Sequence, residues 1–244
     1  MYLNDQIGDC TFASPAHIIE ALTTYAQGAT VKVTDADVLK GYEAVGGYRP
    51  GDPSTDRGCT LEDVLKYWRT VGIGGHKILA YAKVDVSNRV EVEQSIDLFG
   101  AINLGINLPK SAEDQFNQGV AWDYVRGSRI LGGHCVPAGR YGPDGSTDGV
   151  TWARVQTMTA AFWRHFVEEG WIVITSDWLD ANGSSPSGYN LYQLGEDLAA
   201  LTGGPNPFPQ PQPQPVPVPG PAVDAHALAA YRAMQAWAAE VGVV

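Results

Sequence analysis

"NDQIGDCTFASPAHIIEALTTYA", residues 4–26, begins as a polar turn and runs straight into an apolar-periodic segment. Ile18, Ile19, Leu22 and Tyr25 recur at helical spacing and Gly28 supplies a stop, so residues 10–27 read as a helix. Pro15 lies inside this segment. Either it occupies the first turns, where a missing N–H costs little, or the helix begins at Ser14 and Pro15. Cys10 sits where the turn becomes the helix. A thiol at that position feels the positive end of the helix, which favours the thiolate, and Gln6 places a side-chain amide beside it. The plainer alternative is a buried cysteine leading a core helix.

Working outward, "VTDADVLKGYEAV" offers Thr34 as the cap of a second helix, and "CTLEDVLKYWRTVG" offers Thr60 as the cap of a third, with Asp63 three residues on. Between them "YRPGDPSTDRG" is a loop dense in Pro, Gly and Asp. "SNRVEVEQSIDLFG" predicts a fourth helix ending at Gly100, and "AINLGINLP" alternates as a strand does. "GGHCVPAGRYGPDGSTDGVTWARVQTM", 132–158, predicts a β-hairpin turning at "GPDGSTDG". "GWIVITSDWL" is a further strand and "LYQLGEDLAALTGG" a short helix with a glycine stop. Helices first and a mostly antiparallel sheet afterwards define an α+β class.

The composition changes at residue 204. "GPNPFPQPQPQPVPVPGP" reads as a polyproline II linker without means of packing a core. "AVDAHALAAYRAMQAWAAEVGVV" follows, with Leu228, Tyr231, Met234, Trp237 and Val241 on one side at helical spacing. The expected organisation is a domain over 1–203, a linker over 204–222 and an amphipathic docking helix over 223–244. Its surface would be this domain, a sister subunit or a different protein.

A formal charge of −11 disfavours nucleic acid and anionic membranes as partners, because both need clustered Lys and Arg. No apolar run is long enough to span a bilayer. The opening turn lacks the basic-then-apolar pattern of a leader, so the expectation is a chain made in the cytoplasm. Three cysteines, at 10, 59 and 135, do not form a disulfide framework, and no Cys/His spacing suggests zinc, so neither metal nor cofactor is expected.

A cysteine nucleophile needs a base. His17 is two turns along the same helix, about 10 Å away, and cannot reach Cys10. His76 is in a loop, His165 in the apolar "FWRHFVEEG" segment, and His226 on the tail. His134 opens a strand after Gly132 and Gly133, where another backbone or a substrate can approach closely. Alternation along that strand sends Cys135 to the opposite face.

These blocks resemble the papain-like cysteine peptidase superfamily over residues 3–180. "DQIGDCTFA" matches its Gln-then-Cys block through Gln6 and Cys10, and "GGHCVPAGRYG" its histidine strand through His134, 124 positions after Cys10. The resemblance implies a papain-like fold and a thiol hydrolase for a peptide or protein substrate. It implies Cys10 as nucleophile, His134 as base, Gln6 as oxyanion donor, Gly133 beside the substrate, and Trp152 and Trp163 shielding the site. Two departures stand out. Gln6 is only four residues before Cys10. The residue expected to orient the histidine is not Asn; "WARVQTMT" supplies Gln156, with Thr157 as its neighbour. The second expectation is therefore a catalytically weak or inactive binding protein of the same fold, carried in a larger assembly such as a phage virion. A peptidoglycan endopeptidase would share the chemistry, but the acidic charge and absence of wall-binding repeats disfavour it.

Overall fold

The computed structural model describes residues 1–210. Linker residues 211–222 and the tail segment 223–244 lie outside the described residues. Seven α-helices and six strands are found among the described residues: α1 (Cys10–Gln27), α2 (Asp35–Gly46), α3 (Leu61–Thr70), β1 (Ile78–Val84), α4 (Arg89–Phe99), β2 (Ile102–Pro109), α5 (Lys110–Gln118), β3 (Ile130–Tyr141), β4 (Thr147–Thr151), β5 (Arg154–Met158), α6 (Ala160–Phe166), β6 (Val167–Thr175) and α7 (Leu191–Thr202). The class is α+β, as the sequence predicts.

α1 starts at Cys10, with Pro15 inside it, and ends on Gly28 in the left-handed conformation, whose N–H bonds Thr24 O. Phe12, Ala16 and Ile19 are fully buried, so this helix is core rather than surface. α2 and α3 are capped as their sequences predict: Thr34 accepts from Asp37 N within a capping box, and Thr60 accepts from Asp63 N. α2 comes close to α1 because Gly41 has no side chain; a Cβ there would run into the Phe12 ring.

The sheet order is β1-β6-β2-β3-β4-β5, with every pair antiparallel. β2 lies between β6 and β3 and is buried along nearly its whole length, which explains its continuous apolar run. α1 is tied to this strand by Ser14 Oγ, which donates to Asn103 Oδ1.

The sequence places one hairpin over 132–158, whereas the structure has two. β3 turns into β4 through the predicted Gly/Asp loop, and β4 turns again into β5 at Trp152–Ala153. Both residues have positive φ, +45° and +60°, with Thr151 paired to Arg154 across them. This is the two-residue turn that fits strand twist, made without Gly or Asn, so it carries no sequence signature. The stretch 204–209 is not free of the domain either. Asn206 donates to Tyr192 O and Glu196 Oε1, and Phe208 packs against the core over Gly195 of α7. The compact unit extends to Pro209.

Candidate active site

Residues 3–9 coil tightly before α1. Gln6 and Ile7 both donate their N–H to Leu3 O, and Tyr2 and Leu3 have positive φ. Cys10 follows as the first helical residue. The backbone of Cys135, the residue after His134, comes close enough to the thiol to favour its charged form. The start of α1 and the middle of β3 therefore meet at the sulfur. The thiol is nevertheless pushed up to about 11. Burial is the larger cause and the Asp9 carboxylate adds to it, while the N–H groups of Cys135, Thr11 and Cys10 oppose it. Here desolvation outweighs the helix terminus.

Asp9 is itself an unusual group. It is fully buried, one carboxylate oxygen accepts from Asn4 Nδ2 at 3.1 Å, and the other has no partner among the described residues. Burial pushes its carboxyl up to about 7.

His134 pairs in register with Ile106 of β2 and is 8% exposed. Its Nε2 shares a 2.8 Å hydrogen bond with Thr151 Oγ1. Nδ1 has no hydrogen-bond partner among the described residues. The ring stacks on Trp152 with centroids 4.9 Å apart and planes 16° from parallel. Trp152 is held edge-on by Phe116 at 4.8 Å and Trp122 at 6.0 Å. That packing offsets the left-handed backbone of Trp152, which costs about 1–2 kcal/mol in a residue with a side chain. Burial pulls the imidazole down to about 4. With the thiol at about 11, both groups rest neutral near pH 7.

The other expected residues are placed as follows. Gly133 is exposed, and a Cβ there would meet nothing within 4 Å, so the strand is open beside His134. Gln6 is exposed and its amide makes no hydrogen bond among the described residues. Gln156 is not on the imidazole. It lies on β5, paired with Gly149 of β4, and its amide donates to Val120 O at 3.0 Å and Thr157 O at 3.1 Å. Thr157 donates instead to Asp148. The extra turn at Trp152–Ala153 is the physical reason: it carries both residues away from β3 and brings Thr151 to the ring. The signal that could have found Thr151 is its place immediately before Trp152. Trp163 does not shield the site either; its Nε1 donates to Val86 O and it belongs to the core.

Cys135 faces away from His134 as alternation predicts, donating to Asn103 Oδ1 at 3.1 Å. The thiol of Cys59 is also raised to about 11, chiefly by burial. His17 stacks on Tyr2, His76 pairs with Asp177 at 2.8 Å, and His165 bonds Ala161 O, so none of them serves the thiol. His226 lies outside the described residues.

A gap of about 10 Å³, the size for one water, is lined by Asn4, Ala13, Ser14, Cys135, Thr151 and Trp152. Beyond it His17, Pro137 and Val150 also border a groove of about 1730 Å³ along α1 and α4. Among the described residues no cluster of three or more His, Cys, Asp or Glu could hold a metal, and no helix is long and apolar enough to cross a membrane.

A helix-borne cysteine set against a histidine strand, on this antiparallel sheet, is the papain-like α+β fold. Xylellain, a cysteine protease from Xylella fastidiosa, is similar in structure with a TM-score of 0.56 at 13% identity, over 69% of this chain and 80% of that one. The Carica candamarcensis cysteine protease CMS1MS2 gives a TM-score of 0.50 at 14% identity, over 69% of this chain and 89% of its own. No family model matches the sequence, and no curated protein matches it.

Proposed function

We propose that this chain is a thiol-dependent hydrolase, a cysteine peptidase or amidase-like enzyme acting on a peptide or protein. The single observation that carries the reading is the packing of α1, with Cys10 at its start, on β3, the strand bearing His134, where the Cys135 backbone comes close to the Cys10 thiol. The papain-like fold supports it.

In this reading His134 takes the thiol proton on Nδ1 as the sulfur attacks the carbonyl carbon. Nε2–H donates to Thr151 throughout, fixing the tautomer as a carboxylate or amide would, but without charge. The oxyanion is held by the Cys10 N–H and the Gln6 amide. His134 then returns the proton to the leaving amine, and water, deprotonated by the same imidazole, releases the acyl group. Gly133 leaves room for substrate backbone. Because both groups rest neutral, proton transfer accompanies attack rather than preceding it.

One observation favours a second reading, a weak or inactive binding protein of the same fold. Burial raises the thiol to about 11 and lowers the imidazole to about 4, so both environments disfavour a thiolate–imidazolium pair. In that reading segment 223–244 would carry the domain into an assembly on its Pro-rich spacer. Incubation with a mixed fluorogenic peptide library separates the two. The hydrolase reading requires cleavage that disappears in Cys10→Ala and His134→Ala. No cleavage by the parent, with a Cys10 no more reactive than Cys59, favours the binding protein.

A further inference from the structure

The nucleophile loop has an anchor of its own. Gly8, two residues before Cys10, donates its N–H to both oxygens of Asp56, at 2.9 and 3.2 Å. Asp56 also accepts from Tyr42 Oη at 2.5 Å, and Tyr42 Oη in turn accepts from Gly58 N at 2.9 Å. Tyr42 is fully buried, stacks on Tyr48 and leaves its phenol well above the usual range through burial and the Asp56 bond. A Cβ at Gly8 would lie 2.9 Å from Asp56 Oδ1, so a side chain there would displace the carboxylate. Apart from bonds into the first turn of α1, these are the only hydrogen bonds that tie residues 3–9 to another element among the described residues. The loop that carries Gln6 and ends at Cys10 is thus fixed from one side by a single carboxylate.

We infer that Asp56, braced by Tyr42, is a positioning residue: it fixes the 6–10 loop so that the Gln6 amide and the Cys10 N–H converge on the developing oxyanion. The inference rests on the hydrolase reading. It accounts for how a Gln only four residues before the cysteine, whose side-chain amide has no hydrogen-bond partner among the described residues, would be held near the oxyanion. The anchor is charge-assisted and accepts three hydrogen bonds, which rigidifies the short turn where a longer one would wander. Asp56 touches neither sulfur nor imidazole, so its effect falls on the oxyanion and not on the attacking thiol.

The test compares two reagents at Cys10. N-acetylglycinal forms a hemithioacetal: the S–C bond forms, the carbonyl π pair goes to oxygen, and the thiol proton ends on that oxygen, so adduct stability reads the oxyanion site. Iodoacetamide alkylation forms no oxyanion. Asp56→Ala should weaken the aldehyde adduct about tenfold or more, as loss of a charged hydrogen-bond partner implies. Asp56→Glu should recover part of the loss, and the iodoacetamide rate should stay within about twofold of the parent in both. Tyr42→Phe, which keeps the ring packing, should show a smaller change in the same direction and serves if Asp56→Ala does not fold. Parent-like aldehyde affinity in folded variants overturns the anchor alone. A parent protein that forms no adduct at Cys10 overturns the hydrolase reading, and the anchor's role with it.

Discussion

Replacing Asp9 with Asn should make the protein more stable at pH 8 but not at pH 4. The Asp9 carboxyl is fully buried, bonded once and otherwise unpartnered, and burial raises it from 3.8 to about 7. Its place before α1 would ordinarily favour a negative charge, by about 0.3–1 kcal/mol. Desolvation here is larger and of opposite sign. A carboxyl whose folded value lies above its unfolded value imposes no penalty below about pH 4, where both states are protonated. Stability is then lost as pH rises, and the loss is complete above about pH 7. A shift of about three units corresponds to about 4 kcal/mol. Urea unfolding of parent and Asp9→Asn at pH 4, 5.5 and 8 measures it directly: the difference should be near zero at the first and several kcal/mol at the last. Because the Asp9 charge also raises the Cys10 thiol, the variant's Cys10 should alkylate faster than the parent's above pH 7 and equally at pH 5. A stability difference that does not change with pH would refute the reasoning.

Thr151→Val should leave His134 Nε2 buried and unpaired, costing about 1–3 kcal/mol of stability and slowing peptide cleavage, while Thr151→Ser retains both; chemical denaturation and initial rates check this. Ala153→Gly should raise stability by about 1 kcal/mol, visible as a higher Tm, since Ala153 is exposed and holds φ +60°. Gly41→Ala should destabilise by about 1–3 kcal/mol, because the added carbon meets the fully buried Phe12 ring and must spread α1 from α2.

The fold was legible wherever local chemistry is explicit. Thr34, Thr60, Gly28 and Gly100 mark helix ends by their capping chemistry, and the structure uses each as predicted. "AINLGINLP" is continuous enough to announce a central strand. β1 was not legible, although Ile78–Val84 alternates buried with more exposed positions; its buried face includes the small Ala80 and Ala82 while Leu79 and Tyr81 lie on the other face, so the sequence shows no clean apolar alternation. The site divides similarly. Cys10 and His134 stand in sequence contexts that expose them: a turn entering a helix, and a strand after two glycines. The third residue was misassigned because the Trp152–Ala153 turn is stabilised by aromatic packing around Trp152 and not by turn residues, so nothing in "TWARVQ" shows that the chain reverses there. The Asp9 and Asp56 carboxylates were hidden for another reason: their roles come from burial and from contacts 48 residues apart, which spacing does not encode.

The pairing of Cys10 with His134 is tested most directly by site-resolved alkylation of the native protein with iodoacetamide at pH 7, read by mass spectrometry at each thiol. Cys10 and Cys59 are both raised to about 11, so acidity alone predicts equal rates. An imidazole base at Cys10 predicts that Cys10 reacts fastest of the three and slows to the Cys59 rate in His134→Ala. Equal rates in the parent, or a Cys10 rate indifferent to His134, would contradict it.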